Sequence, residues 1–183
     1  MTGIEHVTLA AGAFELRVPR PDDAEATLAM LQDPDVRQWN PGPDELTLES
    51  ARDWLVRSAD WSGGSAAVWT VHDGDQLVGN AFVCKIDPDQ LDAWVAYRTA
   101  PWARGRGVAA SAVLAMTAFA FDALGVERLV LPHAVANAAS CRVAEKAGYA
   151  YEGLERGGYR DESGVRWDSP VHGRLRDGIL SRS

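Results

Sequence analysis

An α/β fold follows from three observations on this 183-residue chain. Three strand-like runs succeed one another: Ala67–Val71, Leu77–Ile86 and Leu91–Thr99. A stretch rich in glycine and arginine, Pro101–Ala109, follows the last of them directly. The long apolar segment Ala109–Leu124 then carries helical spacing. Strand, glycine loop and helix in that order are what phosphate binding needs. Gly105 and Gly107 let the backbone adopt φ > 0 and approach a ligand closely. The amides at the helix start point outward without partners, and the helix dipole favours an anion there. Arg104 and Arg106 add positive charge. A chain of this length suits one domain, residues 1–183.

The remaining elements are read in order. Phe14, Leu16 and Val18 alternate onto one face of a first strand. Pro21-Asp22-Asp23 starts a helix that continues through Ala24–Leu31, and Asp33-Pro34 ends it or opens a new turn. Pro41-Gly42-Pro43 is a break. Thr47–Ala59 resumes helical spacing, with Thr47 as cap and Leu48, Ala51, Trp54 and Leu55 on one side. Ser62–Ser65 is a loop, Asp73-Gly74-Asp75 a hairpin turn, and Pro88 a strand break. Gly125 stops the long helix. A short strand, Arg128–Leu131, and a helix, Asn137–Ala147, follow. Tyr149–Leu154 and Trp167–Arg174 are the closing strands. Gly157-Gly158 and Glu162-Ser163-Gly164 read as a mobile connection between them.

Composition excludes several classes. No apolar run approaches the ~20 residues of a membrane helix, and Met1–Ala13 lacks the basic-then-apolar order of a secretory signal. The net charge of −8 argues against nucleic-acid binding. Its distribution says more: residues 1–97 carry a net −11 and residues 98–183 a net +3, so the proposed phosphate loop lies in the basic half. Cys84 and Cys141 lack metal spacing and read as thiols in a reducing cytoplasm, with no metal expected. The letters also exclude two phosphate loops, Gly-x-x-x-x-Gly-Lys-Ser/Thr and Gly-x-Gly-x-x-Gly.

The pattern that fits is Arg104-Gly-Arg-Gly107-Val-Ala109, which resembles the coenzyme A pyrophosphate loop of the GCN5-related N-acetyltransferase (GNAT) superfamily. A second stretch, Asn137-Ala-Ala-Ser140 through Glu145-Lys146-Ala-Gly148-Tyr149, resembles the family's Asn-x-x-Ser/Ala…Glu-Lys-x-Gly-Phe helix. Tyr151-Glu152-Gly153 and the opening Leu16–Ala24 look like the branch of ribosomal-protein alanine N-acetyltransferases. The resemblance covers about residues 14–176 and implies a single-domain fold with a mixed parallel and antiparallel sheet.

It implies transfer of an acetyl group from acetyl-CoA to a primary amine, either a protein N-terminus or a small molecule. Larger acyl groups, a homodimer and a non-catalytic acyl-CoA-binding sensor remain open, as does an unrelated phosphate-binding domain. No membrane or nucleic-acid partner is expected. Amides of Gly105, Arg106, Gly107, Val108 and Ala109 would bind the pyrophosphate, helped by the charge of Arg104. Arg98 and Thr99 would pair with the pantetheine arm, and the amide of Tyr97 or Arg98 would polarise the thioester carbonyl. Asn137 would serve as helix cap and pantetheine ligand at once. Lys146 and Arg142 either meet the 3′-phosphate or lie on a solvated helix face.

Many members of the family place a tyrosine acid seven residues after the motif asparagine, but here that position is Ala144. Ser140, three after it, is then the candidate acid for the leaving thiolate, or a first-turn helix serine bonded to the backbone. For the base, Asp92, Glu152, His133 and water are candidates, and His133 reads equally as a surface residue. Asp168 reads as structural, and His6, His72 and His172 show no supporting constellation. Trp39, Trp54 and Trp61 are placed near the acceptor, with core packing the alternative for Trp54. Trp102 either covers the coenzyme or the sheet edge.

Overall fold

The computed structural model describes residues 3–40 and 45–179, so the Pro41-Gly42-Pro43 break lies outside the described residues. One eight-stranded sheet runs in the order β1-β2-β3-β4-β5-β6-β8-β7. Its strands are β1 (Leu9–Ala11), β2 (Phe14–Arg17), β3 (Ala66–Asp73), β4 (Gln76–Asp87), β5 (Asp92–Thr99), β6 (Arg128–Pro132), β7 (Ala150–Arg160) and β8 (Arg166–Leu175). The helices are α1 (Ala24–Leu31), α2 (Pro34–Trp39), α3 (Leu48–Ser58), α4 (Val108–Asp122) and α5 (Ala138–Lys146). Among the described residues, no helix is long and apolar enough to cross a membrane.

Local chemistry sets most boundaries. Thr47 and Ser50 cap α3 reciprocally, each hydroxyl accepting the other's backbone N–H at 3.0 Å. Asp33 accepts from the Val36 amide, so Asp33-Pro34 opens α2 rather than only ending α1. Val108, Ala112, Val113, Met116 and Ala120 of α4 are buried with Val71, Val83 and Val95 of the sheet. Trp61 and Trp69 lie 4.8 Å apart, edge to face, in the same core. Trp61 therefore packs the interior and is not an acceptor residue. Trp54 packs on Phe82 at 6.2 Å.

One irregularity places the site. Among the described residues the only parallel pair is β5 with β6, and its register ends at Trp94↔Val130. Beyond it Val95–Thr99 stay paired to β4. A gap opens on the other side of β5, where the two parallel strands part beyond Trp94 and Val130. Gly79 makes the β4–β5 pairing close there: a Cβ would lie 2.3 Å from the Arg98 carbonyl oxygen.

The closing strands differ from expectation. Gly157-Gly158 is not a loop. It lies inside β7, at a bulge between Glu155 and Tyr159. The turn at residues 162–164 is pinned by Asp161, which accepts from Ser163 Oγ, Val165 N and Trp167 Nε1 at 2.7–2.9 Å. Tyr159 donates its hydroxyl to the Trp39 carbonyl, and Arg37 pairs with Glu162, so α2 is tied to this hairpin.

Candidate active site

Two cavities meet in the gap beside β5. The larger, about 550 Å³, runs along Tyr97–Thr99, the loop at Ala103–Gly107 and the start of α4. The smaller, about 200 Å³, lies between α2, the ends of β5 and β6, and the β7–β8 hairpin. Trp39, Asn40, Tyr97, Asn137 and Ser140 line both.

The larger cavity suits a polyanion. Gly105 and Gly107 have φ of +77° and +83°, and a Cβ on either would meet no atom within 4 Å. Gly107 is the N-cap of α4 and supplies no side-chain cap, so the first-turn amides keep their capacity for a ligand. Arg98, Thr99, Arg104, Val108, Ala109, Asn137 and Ser140 join these glycines in the lining, as do Arg142 and Lys146 of α5. Desolvation pulls the Arg98 guanidinium down to about 10, still a cation at neutral pH. It lies 5.2 Å from the centroid of Phe82 and 5.5 Å from that of Trp54.

Two arginines behave differently from expectation. Arg104 lines the cavity, but its guanidinium is paired with Asp33 and Asp35, so much of its charge is already matched. Arg106 is absent from the lining and pairs with Asp73 at the β3–β4 hairpin. The Asp73 carboxylate holds its side chain there. Trp102 donates to the Leu77 carbonyl at 2.9 Å, at the start of β4, and lines neither cavity.

At the junction, Asn137 Oδ1 accepts the Ser140 amide at 3.2 Å, which caps α5 and fixes the first turn. Ser140 is buried, and its Oγ accepts the Tyr97 hydroxyl at 2.9 Å. Accepting that bond leaves the serine its own hydrogen to donate. Burial pushes the Tyr97 phenol up to about 12, so it stays a neutral donor. The tyrosine absent at position 144 thus has a counterpart that arrives from β5. Tyr97 and Ser140 stand 43 positions apart, and β-strand alternation indicates a face but not a partner.

The smaller cavity is aromatic and lacks acid. Trp39 meets Trp167 edge-on at 5.8 Å and Tyr159 at 6.3 Å. No carboxylate among the described residues lines it. Glu152 is paired with Arg128, opposite Asp92 in the β5–β6 register, and neither acid reaches either cavity. Asp168 accepts the Gly157 amide at 2.9 Å, a structural role. His133 is not a surface residue: it is buried and lines the cavity, but its Nε2 is sealed from solvent. Two histidines without expected company have it. His72 is buried beside Thr70 and Asp23, and His172 beside His133 and Cys141.

A mixed sheet splayed at one parallel pair, with a glycine loop at a helix start and a serine where two cavities meet, is an arrangement with room for a phosphate-bearing donor beside an acceptor. The sequence over residues 14–150 matches the acetyltransferase (GNAT) domain model, and the chain belongs to that family. It is an N-acetyltransferase. It is 28% identical over 162 residues to YdaF of Bacillus subtilis (strain 168), provisionally named a ribosomal N-acetyltransferase, covering 84% of this chain and 83% of that protein. Among solved structures it resembles Mycobacterium smegmatis RimJ in complex with CoA-disulfide, with a TM-score of 0.87 at 19% identity over 99% of this chain and 93% of that one. RimL, a ribosomal L7/L12 α-N-protein acetyltransferase in complex with coenzyme A, gives 0.82 at 20% identity over 94% and 100%. At these identities the structural likeness speaks for the fold.

Proposed function

We propose that the chain transfers the acetyl group of acetyl-CoA to the α-amine of a protein N-terminus. The observation that carries this reading is the meeting of the two cavities at Tyr97, Asn137 and Ser140. The coenzyme's pyrophosphate sits on the amides of Gly105–Ala109, and its pantetheine arm runs along Arg98 and Thr99 past Asn137. The thioester then lies at the junction, with the amine entering from the aromatic side.

In the reaction the amine nitrogen bonds to the thioester carbon, and the carbonyl oxygen takes negative charge. A backbone amide of the Tyr97–Arg98 segment stabilises it. The C–S bond then breaks, Ser140 donates its hydrogen bond to the sulfur, and Tyr97 holds the serine in that orientation. The thiolate gains a proton and the new amide nitrogen loses one to solvent.

The absence of a carboxylate among the described lining residues selects the acceptor. Without a base, the amine must arrive neutral. At pH 7 about one α-amine in seven is neutral, with its pKa near ~7.8, against about one lysine in 2,500. RimL, a ribosomal L7/L12 α-N-protein acetyltransferase, and YdaF, named a ribosomal N-acetyltransferase, support a protein acceptor.

The test is release of coenzyme A thiol from acetyl-CoA in the presence of a peptide with a free N-terminus. Turnover is expected, and none with the same peptide blocked at its N-terminus. Turnover with small amines alone would move the enzyme to metabolite acetylation.

A further inference from the structure

Behind the acceptor cavity three metal-ligating side chains converge from three elements: His133 after β6, Cys141 on α5 and His172 on β8. Their ligand atoms all lie within 4.8 Å of one another. Both histidines are at least nine-tenths buried, at 4% and 1% exposure.

The hydrogen bonding settles one tautomer. His133 Nδ1 lies 2.9 Å from the Ala134 carbonyl oxygen. A carbonyl only accepts, so Nδ1 carries the hydrogen and Nε2 holds a bare lone pair. That lone pair is sealed from solvent and has no protein partner. A buried unsatisfied acceptor costs about 1–3 kcal/mol and calls for an explanation. A substrate amine does not supply one, since Nε2 shows no surface to the cavity. Histidine ligands of metals commonly donate the second ring N–H to a backbone carbonyl, the bond that His133 makes to Ala134.

The other two donors fit the same centre. His172 Nε2 is 3.8 Å from Cys141 Sγ. Two donors of a tetrahedral zinc, at ~2.0 Å for nitrogen and ~2.3 Å for sulfur, stand about 3.6 Å apart. The imidazole centroids are 5.3 Å apart, where two imidazoles on one tetrahedral ion give about 5 Å. One turn along α5, Glu145 Oε1 lies 3.8 Å from Cys141 Sγ. The ligand atoms lie within 4.8 Å of one another, and an edge of that length shortens by about 1.2–1.5 Å to reach zinc geometry.

We propose that His133, Cys141 and His172 form a binding site for a zinc-class divalent cation, with Glu145 in reach of the fourth position. Two imidazoles and a thiolate select zinc-class ions over magnesium or calcium. Cys141 releases its proton on binding. Cys141 is partly exposed and gives the ion its way in. An occupied site ties β6 and β8 to the first turns of α5, the segment that carries Asn137 and Ser140. The proposal does not depend on which amine the enzyme acetylates.

The experiment uses the full-length, tag-free chain stripped by a chelator. Cobalt(II) is added as a coloured stand-in, followed by zinc. One equivalent of cobalt should give the intense visible bands of a tetrahedral centre and a thiolate-to-cobalt charge-transfer band, and zinc should displace both. Cys141→Ser should abolish the charge-transfer band and weaken zinc binding about a hundredfold in competition with a chromophoric chelator. Cys84→Ser should keep the band, because Cys84 lies on β4, outside the triad. No band in the unmodified chain overturns the proposal, and so does a band that survives Cys141→Ser or vanishes in Cys84→Ser. The unmodified chain decides the matter even if a variant folds poorly.

Discussion

At the residue scale, the account turns on a hydroxyl pair. Ser140 is held from one side by the Asn137 cap and from the other by Tyr97. The first fixes the serine backbone and the second its oxygen, and neither consumes the hydroxyl hydrogen. General-acid help contributes about 10²–10⁴ in rate, but a thiol near pKa ~8.5 is a fair leaving group, which favours the low end. Ser140→Ala should therefore lower kcat about tenfold to a hundredfold while leaving the Kd for coenzyme A within about twofold. Tyr97→Phe should lower kcat by less, because the serine survives. Steady-state kinetics with calorimetry of coenzyme binding checks this, and a loss confined to coenzyme affinity would make Ser140 a binding residue. Asn137 and Ser140 were legible in the sequence because a cap and its first turn are local. The Tyr97 side chain was legible only as part of a strand, although the resemblance singled out its backbone amide. Its partner comes from packing α5 across the gap, which no periodicity encodes.

At the element scale, the loop between β5 and α4 does two things. Positive φ at Gly105 and Gly107 turns the chain, and the uncapped first turn of α4 offers its amides. Gly107→Val imposes a β-branched side chain on a left-handed conformation, which costs about 1–2 kcal/mol, and it puts methyl groups in the anion's space. The thermal stabilisation of the chain by excess coenzyme A should then vanish, where a binder at 100-fold its Kd gains about 2.7 kcal/mol. An unchanged shift would remove the pyrophosphate from this loop. The glycine loop could be read from letters alone because backbone conformation is what glycine specifies. The charges beside it could not. Arg104 meets Asp33 and Asp35 of α2, and Arg106 meets Asp73, partners brought near only by the tertiary fold. The Gly157-Gly158 pair failed as a loop signal for a related reason: in β7 the glycines serve a bulge beside the cavity.

At the scale of the whole molecule, strand order and charge asymmetry agree. The basic half of the sequence, residues 98–183, supplies the cations of the larger cavity. The element order was legible because each element carries its own period or cap. The short β1 was not, since Leu9–Ala11 has too few residues to alternate. Burial of titratable groups also gives the fold a pH dependence. His72 sits beside Thr70 and Asp23, where the single 3₁₀ turn Pro21–Asp23 meets β3, and burial holds its pKa below 6.5. The unfolded chain then binds a proton more readily than the folded one. Stability is full above pH 6.5 and falls as the pH drops toward the depressed folded value, by at most about 1.4 kcal/mol per unit for this group. A series of melting curves from pH 7.5 to 5 should show the decline, and His72→Gln should flatten it. Equal slopes in both proteins would assign the decline to other groups.

The measurement that tests the central claim most directly uses one peptide with two amines, a free N-terminus and an internal lysine. It is incubated at pH 7 with acetyl-CoA and the enzyme, and fragmentation mass spectrometry locates the added acetyl group. A cavity without a base predicts acetylation of the α-amine, in excess over lysine by about the several-hundredfold ratio of their neutral fractions. Acetyl groups on the lysine in comparable amount would contradict it, because the cavity would then have to contain a proton acceptor that the account denies.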